Sequence, residues 1–373
     1  MLWYPLGAPA TQPFTVDELL HALQHRLLRF RMLQVAIHWK GLFGNEQVNL
    51  GFAILDILAI GEILVDMIPT KPGHYSEVPA FEKCFGGAPF NFAVGASRLG
   101  SKVGALCAVG ADPFGEFLLE TLSKNGIDIS HVKVKKARTT LAFVVRHEDG
   151  ERAFFFYRKP WAETADTLLS PEDLDPKYIE SSKVLHYSGV ALSHSPLREC
   201  VKRAVNVAKE AGVKVSFDPN IRLDLWESPD SLKDSCYGAF QSSDIILLAK
   251  DEMEYFYGKV TPREAADQLF KKYDPLIVAI KLGGDGCYVR SREGFEITKP
   301  AFKVAVVDTT GAGDGWAAGF LHGLVKGWDL EKCSTVANAV GGLVVTKIGA
   351  ITAMPTKSEL LRFLRSQGVD IVL

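Results

Sequence analysis

The chain has no closely spaced pair of cysteines. Its six (Cys84, Cys107, Cys200, Cys236, Cys287 and Cys333) stand singly, so neither a zinc site nor a disulfide framework is expected. They read as buried thiols in a reducing compartment. The nine histidines fall at no ligand spacing either. No basic stripe breaks the mixture of charges behind the formal net charge of −2, which argues against a nucleic-acid footprint. No apolar run reaches about 18 residues, so no membrane-spanning helix is expected. Internal repeats and low-complexity tracts are absent too. What remains is ordinary globular composition, with 47% apolar and 23% charged residues over 373 positions. That is enough chain for one large α/β domain or two smaller ones.

Residues 1–52 stand apart. Positions 17–33 have helical amphipathic spacing, whereas 41–49 have little pattern. The segment is poor in acid and carries Arg26, Arg29 and Arg31, a faint likeness to a transit peptide, but serine enrichment and a cleavage signal are missing. It reads as an extension of unknown role. The cytoplasm is the expected location, and the extension leaves an organelle open.

From residue 53 the pattern becomes regular. Short apolar runs at 54–60, 103–109, 183–187, 213–217, 244–248, 276–281 and 302–307 predict strands. Segments with helical spacing at 88–99, 114–125, 197–211, 261–273, 311–326, 330–346 and 357–367 predict helices. Such alternation points to a doubly wound α/β fold with a mainly parallel sheet. One domain is expected over 53–356, closed by a C-terminal helix and tail at 357–373. Two stretches break the rhythm. Residues 67–85 hold Pro69, Pro72 and Pro79, and residues 139–158 alternate around the turn signal Glu148-Asp149-Gly150-Glu151. We expect them to form a small antiparallel lid over a cleft. Ala142 and Val144 are read on one lid face and Phe154 and Phe156 on another, which would suit a homodimer through the lid or a lid folded on its own domain.

Polar clusters follow the predicted strands. They are Gly61-Glu62 with Asp66, Asp218-Pro219-Asn220-Ile221-Arg222, Glu252, Lys281 to Gly286, and Asp308 to Asp314. In an open α/β sheet ligands bind beyond the carboxyl ends of strands, so five such clusters on one edge predict a site. Gly311, Ala312 and Gly313 should open a helix, where free N–H groups attract an anion. Asp314, a carboxylate in the same turn, is oddly placed for anion binding unless it takes a proton from a hydroxyl attacking a phosphate held there. Gly86-Gly87-Ala88-Pro89-Phe90-Asn91 opens another helix. Its glycines permit close approach of a ligand, and Asn91 offers a donor and an acceptor to a polyol.

These residues give the chain a resemblance to the ribokinase (pfkB) family of carbohydrate kinases. Gly86 to Asn91 resembles the family's N-terminal signature, and Asp308 to Asp314 followed by Gly315-Trp-Ala-Ala-Gly-Phe-Leu321 resembles its C-terminal one. The likeness runs from about residue 54 to 355. Within the family the chain looks most like fructokinases, through Gly61-Glu-Ile-Leu-Val-Asp66, Phe156-Tyr-Arg158, Ala165-Asp-Thr-Leu-Leu169 and Asp218-Pro-Asn-Ile-Arg-Leu-Asp-Leu-Trp226.

The resemblance implies ATP-dependent phosphorylation of a small sugar, fructose first, with Asp314 as base and an anion hole at Gly311–Gly313. It implies Asp66, Gly86, Gly87, Asn91, Asn220 and Arg222 around the sugar, with Arg158 closing over sugar and phosphate. Lys281, Gly283 and Gly286 would line the nucleotide side, with Asn338 near adenine. ATP and Mg2+ are implied, with Glu252 helping to organise the metal. A K+ site is implied at Asp308, Thr310 and Gly349. One departure is Ala249, where the family often carries an asparagine three residues before its glutamate. Two alternatives stay open: a 2-keto-3-deoxygluconate kinase, and a catalytically silent interaction protein.

Overall fold

In the computed structural model, residues 55–71, 73–146 and 152–373 are described. The extension, and the turn signal at 148–151, lie outside them. The strands are β1 (Leu55–Ile60), β2 (Leu64–Pro69), β3 (Phe81–Gly86), β4 (Val103–Leu106), β5 (Ala108–Gly110), β6 (Lys133–Lys135), β7 (Leu141–Arg146), β8 (Arg152–Tyr157), β9 (Ser182–Ser188), β10 (Lys214–Asp218), β11 (Ile245–Ala249), β12 (Ile277–Lys281), β13 (Cys287–Ser291) and β14 (Glu296–Lys299). Eight of them form the main sheet in the order β14-β13-β12-β11-β10-β9-β1-β4. The pairings from β4 through β12 are parallel, and β13 and β14 add an antiparallel edge. Every residue of β1 is buried, as are the first four of β11 and of β12. A strand covered on both faces reads as a continuous apolar run, which is why the pattern was readable.

Helices cover both faces and start where their caps dictate. The Asp112 carboxylate accepts from the N–H groups of Phe114 and Gly115, with Pro113 in the first turn of helix Pro113–Lys124. Thr261 with Glu264, and Thr356 with Glu359, form reciprocal capping boxes. Helix Ala312–Val325 is buried from Gly315 onward and packs closely on helix Leu330–Val344. A Cβ on Gly319 would lie 3.0 Å from Ala337 Cα, so this close approach requires glycine.

The lid is a second sheet in the order β3-β2-β7-β8. Its outer pairs are antiparallel as expected, and the middle pair, β2 with β7, is parallel. It starts earlier than expected, because residues 64–66 are already strand. Ala142 opposes Phe156 and Val144 opposes Phe154, so all four share one face, contrary to the sequence reading. Ala142, Val144 and Phe156 are buried. The other face carries Phe143, Phe155 and Tyr157, with Tyr75 and Phe81 in ring contact.

Other expectations needed correction. Residues 302–307 form no strand, and the Val307 N–H bonds to the Val345 carbonyl rather than to a sheet neighbour. Phe302 instead packs on Phe363, and Val306 and Val307 are exposed. The run at 103–109 breaks at Cys107, and its second half pairs with β6 rather than with the main sheet. Among the described residues no helix is long and apolar enough to cross a membrane.

Candidate active site

The carboxyl ends of β1, β10, β11 and β12 open into one cavity of about 320 Å3. It lies beside β1, whose neighbours β4 and β9 are reached in opposite directions along the sheet, as expected for a ligand crevice. Helix Ala312–Val325 points its N-terminus into this space. Gly311 sits there with a φ of 76°, and a Cβ on it would lie 2.8 Å from the Ala350 Cβ. Gly311 and Gly313 line the cavity, with Ala312 between them in the same turn.

Asp314 follows one residue on, also lining the cavity. Its Oδ2 accepts a hydrogen bond from Asn91 Nδ2 at 3.0 Å. Burial pushes its pKa up to about 6, against the pull of the Asn91 hydrogen bond. A carboxyl so tuned can take a proton near neutral pH. The other end of the Asn91 amide, Oδ1, is buried with no hydrogen-bond partner. A buried acceptor without a partner is costly, and because Asn91 lines the cavity a ligand's donor can relieve it.

Asp66, on β2, lines the same wall, and burial pushes its pKa up to about 7 against the nearby Arg222 charge. Gly86 lies against it: a Cβ there would collide with the Asp66 carboxylate and with Leu64 Cδ1. Gly87, at φ 102°, passes so close to the Glu62 carbonyl that a Cβ would stand 2.5 Å away. Asn220, at φ 42°, and Arg222 complete this part of the wall, with the Arg222 guanidinium 5.3 Å from the centre of the Phe154 ring. Left-handed backbone is tolerated better by asparagine than by most residues.

On the far side, the Lys281 ammonium pairs with the Asp218 carboxylate. Burial works against its charge, but Asp218 and Glu252 outweigh it and hold the pKa above the usual lysine value. Glu252 accepts from Ala249 N at 2.7 Å and from Ile221 N at 3.0 Å, and burial with the Asp218 charge raises its pKa. Gly283 lines a second cavity that continues from the first. The Asp308 carboxylate accepts from Thr310 N and from Gly349 N, both at 2.8 Å, so the three expected residues of the cation loop do converge.

Three expected site residues lie elsewhere. Arg158 is fully buried rather than closing over the cleft. Its Nε donates to Asp166 at 2.7 Å and its Nη1 to Ser193 at 2.9 Å, tying the end of the lid to the domain. The amide of Asn338 accepts from Trp316 Nε1 and donates to the carbonyls of Lys299 and Pro300, so its polar atoms are spent within the fold. Gly286 is a turn residue packed against the Lys299 carbonyl.

The sequence reading named Glu62, Asp218 and Phe154 without giving them site roles. All three line the main cavity, and Glu62 accepts from Ser188 Oγ at 2.9 Å. Their positions just after β1, at the end of β10 and on the lid hairpin were the available signals.

Among the described residues no group of three or more His, Cys, Asp or Glu could hold a metal. Asp251 and Glu252 line the cavity, however, and six carboxyls face it against two bases. That fits a magnesium ion, which binds through one or two carboxylates, several waters and substrate phosphates.

A family model of pfkB family carbohydrate kinases matches residues 55–357. A protein described as probable fructokinase-2 of Arabidopsis thaliana is 39% identical over 321 residues, covering 83% of this chain and 96% of that one. A solved fructokinase of Vibrio cholerae O395, described in a fructose, ADP and calcium ion bound form, is 31% identical with a TM-score of 0.75, covering 84% of this chain and 99% of that one. A protein described as a ribokinase II of E. coli, in complex with ATP and Mg2+, is 28% identical with a TM-score of 0.76, covering 84% of this chain and 100% of that one.

Proposed function

The chain belongs to the pfkB family of carbohydrate kinases, and we propose that it phosphorylates D-fructose with ATP to give fructose 6-phosphate. The observation that carries this reading is the pair of Asp314 and Asn91. A carboxyl of raised pKa on the cavity wall is held by one end of an amide whose other end is buried and unpartnered. A hydroxylated ligand supplies that missing donor.

In the proposed reaction the fructose 6-hydroxyl attacks the terminal phosphorus of ATP. A new O–P bond forms, the bond to the ADP oxygen breaks with its electron pair leaving on ADP, and the hydroxyl proton passes to Asp314. The N–H groups of Gly311 and Gly313 would face the charge that develops on the transferred group, whereas that of Ala312 donates to the Thr309 carbonyl. Asp66, Gly87, Asn91, Asn220 and Arg222 orient the sugar, and Phe154 and Phe156 of the lid help to exclude water. Asp251 and Glu252 would hold Mg2+, which neutralises phosphate charge when bound. K+ is proposed at the loop joined by Asp308, Thr310 and Gly349. The two Asp308 oxygens each accept one backbone N–H there and, like those of Glu252, keep lone pairs for a cation. A homodimer through the lid is proposed on its outer face, where Phe155 and Tyr157 are exposed.

Charge favours fructose over 2-keto-3-deoxygluconate. A sugar acid's carboxylate needs a cation, and Arg158 is spent on Asp166 and Lys281 on Asp218. The experiment is ADP release measured against fructose, ribose, adenosine, glucose and 2-keto-3-deoxygluconate. Fructose should give the highest kcat/KM. A tenfold or greater preference for the sugar acid, about 1.4 kcal/mol at the transition state, would overturn the reading. Turnover of none of them would favour a silent interaction protein.

A further inference from the structure

Two cavities meet at one lysine. The first holds Asp314, Asn91 and Asp66, and the second, of about 420 Å3, continues along Lys250, Leu282 and Gly283. Ala249, Asp251, Lys281 and Gly313 line both, so they mark the junction. Of these four only Lys281 is cationic. It ends β12 and reaches the Asp218 carboxylate at the end of β10, with only the methyl group of Ala249 at the end of the strand between them. A Cβ on Gly313 would stand 3.5 Å from Lys281 Nζ, so the ammonium lies directly over the N-terminus of helix Ala312–Val325. The cation is therefore built into the place where the sugar side and the nucleotide side adjoin.

We infer that Lys281 is a further catalytic residue that binds the phosphoryl group in transit, with Asp218 as its resting partner between turnovers. The inference rests on the kinase reading and adds a role within it. The ammonium stays protonated throughout. It exchanges a hydrogen bond to Asp218 for one to an oxygen of the terminal phosphate, while the O–P bond to the sugar forms and the bond to ADP breaks. Negative charge on that group is then met from one side by helix N–H groups and from the other by the lysine. A donor of this kind contributes roughly 10²–10³ in kcat. The pairing with Asp218 keeps a buried charge compensated when no phosphate is bound.

The test compares wild type, Lys281→Met, and Lys281→Met combined with Asp218→Asn. The double variant matters because Lys281→Met alone leaves a buried carboxylate without its partner. If the lysine acts on the phosphoryl group, both variants lose at least about a hundredfold in kcat. Calorimetric titration supplies a readout independent of turnover. With Mg2+ present, affinity for β,γ-methylene-ATP should fall about tenfold or more in the double variant, while affinity for ADP changes less than about twofold. Recovery of wild-type kcat in the double variant would show that the lysine only neutralises Asp218 and would overturn the inference. Equal loss of affinity for both nucleotides would overturn it too. Wild-type protein that turns over no sugar would refute the kinase reading instead, and the nucleotide comparison would still decide for or against the lysine.

Discussion

The sharpest test of the site is Asp314→Asn, read by kinetics and by melting. The substitution keeps shape and removes the base, so kcat should fall by roughly 10²–10⁴ with sugar affinity changed much less. In wild type a carboxyl of pKa about 6 is about nine-tenths ionised at pH 7 and one-tenth at pH 5. The fraction able to accept a proton therefore drops about tenfold over that interval, and kcat/KM should drop with it. An unperturbed aspartate would leave this range nearly flat. Stability should move in the opposite sense. Because the folded pKa lies above the ordinary value of 3.8, the folded state holds its proton more tightly than the unfolded state. That contribution is complete below pH 4 and is lost as pH rises through about 6. Asparagine carries no such loss, so the ligand-free variant should melt a few degrees higher than wild type at pH 7, from at most about 3 kcal/mol. The two should converge near pH 4. Differential scanning calorimetry across pH, beside steady-state rates, makes the comparison. Near-normal turnover in a folded variant, or a profile flat down to pH 5, would refute Asp314 as the tuned base.

Gly86→Ala should raise KM for the sugar by about tenfold or more, because its methyl meets the Asp66 carboxylate; an unchanged KM would count against Asp66 as a sugar ligand. Arg158→Met should lower the melting temperature markedly through the stranded Asp166, whereas Arg158→Met with Asp166→Asn should recover much of it; a fall in kcat with no loss of stability would restore Arg158 to the cleft. Phe155→Ser with Tyr157→Ser should convert a lid-paired dimer to monomer in light scattering, and a wild-type monomer would refute the dimer. A chain starting at Phe52 should fold and phosphorylate sugar, since the sheet, lid and cleft are built from residues beyond it. Aggregation or a large drop in melting temperature would show that the extension belongs to the fold.

The parts legible in the sequence were those whose chemistry is local. Asp314 and the Gly-Ala-Gly before it announced a helix N-terminus with a base, and five polar clusters after strands announced their own convergence. What escaped depended on partners far along the chain or on facing. The family resemblance implied that Arg158 closes over the sugar, and nothing local says that Asp166 folds back to bury it. The resemblance implied Asn338 near adenine, whereas its partners, Trp316 and the carbonyls of Lys299 and Pro300, come from other elements. The lid residues alternated clearly, yet alternation gives two faces without saying how the two strands align. Register put Phe154 and Phe156 with Ala142 and Val144. Residues 302–307 had a strand's composition, but their contacts, Phe363 and the Val345 carbonyl, lie far along the chain and outside any sheet.

The raised carboxyls of the cleft have a consequence for any binding measurement. Burial brings Glu62 and Asp66 to about 7 and Asp314 to about 6, and Glu252 moves upward with them. Near neutral pH the cleft is thus a reservoir of exchangeable protons, partly filled before anything binds. A divalent cation entering it displaces protons, whereas an anionic nucleotide alone draws protons in. The heat of binding should therefore include the buffer's own heat of ionisation, with Tris and phosphate giving different apparent enthalpies for one event. Extrapolation to zero buffer enthalpy would give the intrinsic heat, and the slope would count the protons exchanged.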